Sequence, residues 1–320
     1  MAVVVGVDEA GLGPVLGPLV VSGAAFRVPD ERVGDCLWTT LRGSCTKRVT
    51  RRPRRLVVAD SKKLYSPAGS LGPLERTALV MLAAAGARPG SFRELVESVA
   101  PGAVPLLDEH PWYRGEDLAL PVCEQTGDIG TRAHAVIRDC AREDVEPAGL
   151  VCEPLAEGRF NGLIAGVQNK STVVADLAMR VVDRLLRAAG ERRARVHVDR
   201  LGGRAHYRQM LQTAFPGFEF AIVEESPQRS AYLLTNGDRR IEIDFSTAGE
   251  QRHFAVALAS VLSKYVRELH MRLFNRYWSS QAAGLAPTAG YYTDAQRWLR
   301  DAAPHIERLG IDRSILVRAR

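Results

Sequence analysis

Residues Val3 to Val7 form an unbroken apolar run that delivers two consecutive carboxylates, Asp8 and Glu9, into the turn-forming segment Gly11-Leu12-Gly13-Pro14. A run of this length ending at glycine and proline fits a fully buried strand. Carboxylates leaving such a strand need a counter-charge, because an unpaired charge beside an apolar core is costly. Adjacent side chains on a regular strand point to opposite faces, so Asp8 and Glu9 serve one site only if the strand ends or bulges there, which the glycines permit. At the end of a core strand, a ligand role suits Asp8 better than the capping of a turn.

Leu19 to Phe26 form a second apolar run after a Gly/Pro-rich turn, so the chain opens with sheet. A helix is expected from about Pro73 to Ala85. A stronger one is expected from about Thr172 to Ala189, where Val173, Val174, Leu177, Ala178, Val181, Val182, Leu185 and Leu186 recur at helical spacing. Ser171 can cap its start and Gly190 can end it. Arg195 to Asp199 follows as a strand, the helix-then-strand order of an α/β sheet, and leaves Asp199 at the strand's C-terminal end, where sites assemble in such sheets. A strand from Phe218 to Val223 and a hairpin over Ser230 to Phe245, turning at Asn236-Gly237, come next. Helix resumes after Glu250, with Phe254, Leu258, Val261, Leu262, Tyr265 and Leu269 on its buried face, and again near Thr293. Glu250 can be read as a fourth carboxylate of the site or as a charge favoured at a helix N-terminus. Four converging carboxylates would form the oxygen-rich environment that Mg²⁺ or Mn²⁺ prefers.

Composition narrows the class. A chain of 320 residues, 46% hydrophobic and 25% charged, can bury a substantial core. No apolar run approaches the ~20 residues of a membrane helix, and the N-terminus lacks a signal-peptide pattern, so a cytoplasmic protein is expected. Cys36, Cys45, Cys123, Cys140 and Cys152 are odd in number and contain no CxxC pair, which argues against a disulfide framework or a cysteine zinc site. A net charge of +6 permits a polyanionic partner without requiring one. Neither repeats nor a linker divide the chain, so residues 1–320 are expected to form a single domain.

Four segments carry a family resemblance. Gly6-Val7-Asp8-Glu9-Ala10-Gly11-Leu12-Gly13-Pro14, continuing to Gly17-Pro18, resembles the ribonuclease HII signature GxDEAGRGPxxGP. Asp60-Ser61-Lys62-Lys63-Leu64 is similar to DSKKL, Ala259-Ser260-Val261-Leu262-Ser263-Lys264 with Arg267 to ASILAKxxR, and Gly290-Tyr291-Tyr292-Thr293 to GYGT. The motifs occur in the order of the ribonuclease HII/HIII family. The resemblance covers roughly two-thirds of the chain, with the stretches near 88–150 and 224–247 expected as insertions.

The resemblance implies an RNase H-like α/β fold, a mixed central sheet flanked by helices with additional C-terminal helices. It also implies a catalytic, metal-holding quartet carried onto Asp8, Glu9, Asp199 and Glu250. The fourth family carboxylate lies ten residues before the serine of ASILAK, which selects Glu250, with Asp244 as the alternative if the register shifts. The implied cofactor is Mg²⁺ or Mn²⁺, and the implied substrate an RNA/DNA hybrid or ribonucleotide-containing duplex. No membrane and no protein partner are inferred.

For substrate binding the resemblance points to Gly11, Leu12, Gly13, Lys62, Ser260, Lys264, Arg267 and Tyr291. Ser260, Lys264 and Arg267 share one helical face and are expected to meet successive phosphates. Tyr291 is expected to pack on a sugar. Leu12 stands where ribonuclease HII has arginine. The basic run Lys47, Arg48, Arg51, Arg52, Arg54 and Arg55 is read equally as a duplex contact or a solvated loop. His197 and His253, near two proposed ligands, are expected to be packed or exposed side chains rather than proton shuttles. Two other functions stay open: a non-catalytic nucleic-acid-binding protein of this fold, and another RNase H-fold nuclease acting on DNA.

Overall fold

The apolar run at the N-terminus becomes β1 (Ala2–Ala10), an interior strand of a mixed sheet. The computed structural model describes all residues except 52, 67–68, 125, 168 and 320. Besides β1, the seven-stranded sheet contains β2 (Leu19–Val28), β3 (Glu146–Leu155), β4 (Arg193–Asp199), β5 (Glu219–Glu225), β6 (Arg229–Asn236) and β7 (Arg239–Ser246), in the order β3-β2-β1-β4-β7-β6-β5. β1 pairs antiparallel with β2, and β2 antiparallel with β3, whereas β4 runs parallel to both β1 and β7. The expected hairpin forms β6 and β7, with Asn236 still paired to Arg239, so the turn is Gly237-Asp238 and the left-handed residue is Gly237 at φ 58°.

Helices cover both faces because β1 and its neighbours are apolar on both. Val3, Val5, Val7, Val196 and Val198 pack in one cluster with α5 (Lys170–Ala189). Ala2, Val4, Val20 and Phe26 pack in the other with α6 (Phe254–Gln281). The remaining main helices are α1 (Gly72–Ala84), α2 (Phe92–Val99), α3 (Thr126–Arg142), α4 (Glu157–Val167) and α7 (Tyr292–Arg308). α5 ends at Gly190, φ 70°, as the sequence indicates, but its cap is Asn169, whose side chain accepts from the Ser171 amide at 2.9 Å. Asparagine outcompetes the serine two residues later because the helix gains an extra half turn from Lys170.

The stretches near 88–150 and 224–247 contribute elements to the sheet and to its helical cover. β3 begins at 146 and pairs with β2, β7 lies beside β4, and α3 packs on α1. Part of the joint is a buried carboxylate, Glu75, which accepts the amides of Val122, Cys123 and Glu124 at 2.6 to 2.9 Å. The packing partners of this region lie far away in sequence, as when Trp112 meets Phe274 at 5.4 Å between ring centroids, so its own periodicity is weak. The five cysteines are free and three of them are buried. Among the described residues no helix is long and apolar enough to cross a membrane.

One close approach sets the position of everything that follows. At Gly6 an added Cβ would lie 2.1 Å from the Ala255 carbonyl carbon and 2.2 Å from the Val256 nitrogen. The first turn of α6 therefore rests directly on the backbone of β1, which only glycine allows. This contact brings the segment before α6 beside the residues that follow Gly6.

Candidate active site

Asp8 lies two residues beyond that contact, on the same side of the sheet, and is buried. Its carbonyl accepts the Ser263 hydroxyl at 3.0 Å, and its Oδ1 accepts the Glu9 amide at 2.7 Å. β1 neither ends nor bulges at Glu9: its pairing with β2 continues to Ala10↔Val20. The pairing with β4 stops instead at Val7↔Val198, so Glu9 faces an edge that its parallel neighbour has left. Asp199 ends β4, and its Oδ1 accepts the Gly249 amide at 2.8 Å. That bond fixes the short turn Gly249–Gln251, which carries the buried Glu250 and follows Ala248 in the left-handed region at φ 54°.

The four carboxylates sense one another. Burial, followed by the charges of Glu9 and Asp199, holds Asp8 well above the usual carboxylate range. Glu9 is pushed up to about 7 by burial and then Asp199, partly offset by Lys62, with Glu250 adding a smaller push. Asp199 rises to about 6, first through burial and then through Glu250, against the lowering effect of the Gly249 amide. Mutual repulsion of this kind is relieved by a cation between the groups. Glu9 Oε2 is moreover buried without a hydrogen-bond partner among the described residues. An all-oxygen donor set with an unsatisfied oxygen fits a hard divalent ion.

Asp244, the alternative fourth carboxylate, is engaged elsewhere. It sits opposite His197 in the β4/β7 pair, with its Oδ1 2.6 Å from His197 Nδ1. The rings of His197 and His253 stack, with centroids 3.6 Å apart.

The motif loops are brought together as well. Gly290, φ 81°, accepts the amides of Val15 (2.9 Å) and Leu16 (3.2 Å), so the GYYT turn is clamped to the loop after β1. Arg267 is the clamp's third part: only 1% exposed, it donates to the carbonyls of Leu16 at 3.1 Å and Ala289 at 3.2 Å. Gly11, φ 88°, leaves room for it, since a Cβ there would lie 2.6 Å from Arg267 Nε.

This corrects the expectation that Ser260, Lys264 and Arg267 face phosphates in succession. Burial removes Arg267 from such a role, Lys264 Nζ pairs with Glu268 Oε1 at 2.6 Å, and the buried Ser260 donates to Ser61 at 3.0 Å. Lys62 and Gly13 are exposed, and Tyr291 is 47% exposed with Arg267 beneath its ring at 5.9 Å. Leu12 packs its half-buried side chain against the α5-side cluster. In the basic run, Lys47 donates to the Gln251 carbonyl and lies over the Trp38 ring, Arg55 donates to Arg42 O at 2.8 Å, and Arg48, Arg51 and Arg54 are exposed. Arg52 lies outside the described residues.

Two loop supports were missed in the sequence. Arg318, almost at the C-terminus, is 3% exposed and donates to the carbonyls of Gly11 and Pro14. Glu157, completely buried, accepts the Gly17 amide at 2.8 Å. Nothing in their sequence surroundings distinguishes them from surface charges.

The fold is an α/β mixed sheet flanked by helices, with Asp8, Glu9 and Asp199 near the ends of its parallel strands β1 and β4. No protein-family model matches the chain. Over 191 residues it is 27% identical to ribonuclease HII of Aeropyrum pernix, covering 59% of this chain and 75% of that one. Among solved structures, Bst-RNase HIII aligns over 98% of this chain and 65% of its own, at a TM-score of 0.49 and 16% identity. The same protein has been solved in complex with Mn²⁺. Ribonuclease H2 of Pyrococcus horikoshii aligns over 98% of this chain and 92% of its own, at 0.49 and 14%. The chain thus spans less than two-thirds of the ribonuclease HIII it resembles, and both TM-scores fall below 0.5. The sequence match and the four motifs make the chain similar, at a distance, to ribonuclease HII.

Proposed function

We propose that this chain is a divalent-metal-dependent endoribonuclease that hydrolyses the RNA strand of RNA/DNA duplexes, with residues 1–320 acting as one catalytic domain. The observation that carries this reading is the convergence of Asp8, Glu9, Asp199 and Glu250, whose like charges and unsatisfied Glu9 oxygen call for a cation. These four would hold Mg²⁺ or Mn²⁺. When bound, such ions activate water and stabilise the leaving oxygen of an in-line displacement.

The protein's own contribution is orientation. The Ser260 hydroxyl lies near Asp8 and draws its carboxyl down against the effect of burial. The loop of Gly11 and Gly13, held from behind by Arg267 and Arg318, offers its backbone to a ribose 2′ hydroxyl, the group that separates RNA from DNA. Tyr291 offers an exposed ring to a sugar, and Lys62 supplies a positive charge at the rim beside Glu9. Incubation with labelled RNA/DNA hybrid and DNA duplex, with and without each metal, tests the reading. Binding without any cleavage would favour a non-catalytic duplex-binding protein, and cleavage of the DNA duplex alone would favour a DNA nuclease.

Leu12 leads to a finer expectation. It cannot make the charge-assisted phosphate contact of the arginine that ribonuclease HII carries there, which leaves a single RNA-to-DNA junction less firmly held. Duplexes with several consecutive ribonucleotides should be cut in preference to those with one, and Leu12→Arg should narrow the gap. Equal rates on both substrates in the unmodified protein would contradict this.

The basic run adjoins the site through the Lys47 contact to Gln251, next to Glu250. Replacing Arg51, Arg54 and Arg55 with alanine should weaken hybrid binding regardless of sequence. It should also flatten the salt dependence by roughly 0.9 in log-log slope for each phosphate that is no longer neutralised. An unchanged slope would make the run a solvated loop.

A further inference from the structure

Next to the carboxylate cluster, on the same side of the sheet, lies a second group of metal-binding side chains that the proposed hydrolysis does not use. His197 on β4, Asp244 on β7 and His253 at the head of α6 present one ligand atom each, all within 4.8 Å of one another, and all three are at least half-buried. The arrangement is built by the fold rather than by a local motif. His197 and Asp244 are register partners in the parallel β4/β7 pair, and His253 arrives from the turn that Asp199 anchors.

The cluster is incompletely satisfied. Asp244 Oδ1 is 2.6 Å from His197 Nδ1, but Asp244 Oδ2 is buried with no hydrogen-bond partner among the described residues. Its nearest cation, Arg229 Nε, stands at 3.8 Å, beyond hydrogen-bond reach. A carboxylate 4% exposed that uses one oxygen has an open acceptor inside the protein. His197 and His253 line a cavity of ≈ 160 Å³ together with Val33, Asp35, Cys36 and Arg195.

We propose that His197, Asp244 and His253 form a binding site for a single Zn²⁺ ion, separate from the ions of the carboxylate cluster. Two imidazole nitrogens and one carboxylate oxygen are the ligands of a borderline-soft ion and suit Mg²⁺ poorly. With bonds of ~2.1 Å, two ligands on a tetrahedral ion stand ~3.4 Å apart, within the spread seen here. The His197–Asp244 hydrogen bond is exchanged for two bonds to the ion. The stacked rings, interplanar angle 11°, must tilt apart so that each lone pair meets the ion in its ring plane. The cavity leaves room for this. Solvent or the open side of the cavity supplies the fourth position. An ion here ties β4, β7 and the head of α6 together, the three elements around Asp199 and Glu250, and so stiffens the corner that carries half of the carboxylates.

The test uses the full chain, stripped of metal and then titrated with Zn²⁺ or Co²⁺ in excess Mg²⁺, which keeps the carboxylate cluster occupied. One Zn²⁺ per chain should remain after desalting. Co²⁺ should give the intense visible absorption of a four- or five-coordinate site with nitrogen ligands. Retention should fall at least about tenfold in His253→Gln and in Asp244→Asn, and persist in Asp8→Asn. Absence of retained Zn²⁺ in the wild type, retention unchanged in both site variants, or its loss in Asp8→Asn would overturn the proposal. Should both site variants fail to fold, the wild-type Co²⁺ spectrum decides, because an octahedral all-oxygen spectrum rules the site out. None of these readings depends on nuclease activity, so the failure of one reading leaves the other standing.

Discussion

Asp8→Asn and Asp199→Asn should each lower metal-dependent hybrid cleavage at least about a thousandfold, which corresponds to ~4 kcal/mol of barrier. Each change removes one negative ligand from a cluster whose members already sense one another, Asp8 through Glu9 and Asp199, and Asp199 through Glu250. The fold should survive. Replacing a buried carboxylate with a neutral amide relieves repulsion, so neither variant is expected to melt below the wild type by more than a few degrees. Cleavage by either variant at the wild-type rate, measured at saturating Mg²⁺ and Mn²⁺, would remove that residue from the site. Glu250→Gln should be damaging on the same grounds. Should Asp244→Asn prove more harmful than both Glu250→Gln and His253→Gln, Asp244 is the fourth carboxylate and Glu250 is not.

Gly6→Ala is expected to be the most destabilising single-methyl change in the central sheet. The added carbon would fall 2.1 Å from one backbone atom of α6 and 2.2 Å from another, and backbone cannot rotate away as a side chain can. Overpacking of this kind typically costs ~1–3 kcal/mol, and a backbone clash belongs at the upper end or beyond. A fall in melting temperature of at least about 5 °C should follow. Because α6 also sets the position of His253 and the Glu250 turn, the fraction that remains folded should cleave poorly too. A melting temperature within a degree of the wild type would mean that α6 does not rest on β1 at this point. Gly23, where a Cβ would meet flexible side chains of Val181 and Leu185, offers the milder comparison.

These two expectations differ in how far the sequence foretold them. The apolar run before Asp8, the helical spacing from Val173 to Leu186 and the Asn236-Gly237 signal, whose turn falls one residue later at Gly237-Asp238, are local patterns. They act within a few residues, so the sequence displays them directly, and β1, α5 and the β6/β7 hairpin fall where those patterns indicate. Asp8, Glu9 and Asp199 stand out in the sequence for the same reason, since each stands at the end of an apolar run. What made Glu9 available was not a bulge in its own strand. It was the departure of β4 after Val198, a property of the neighbour.

The placement of Glu250 and Asp244 was likewise beyond sequence, because both lie near the start of α6. The Gly249 amide bond to Asp199 turns one inward, and strand pairing with His197 claims the other. Arg267 shows the same limit in reverse. Helical spacing puts it on one face with Ser260 and Lys264, but two loops from distant parts of the chain close over it and convert an expected phosphate ligand into a buried brace. Periodicity reports which side of a helix a residue occupies. Which partner then covers that side is settled by contacts hundreds of residues apart, such as Arg318 on the Gly11 loop, and only the tertiary structure contains them.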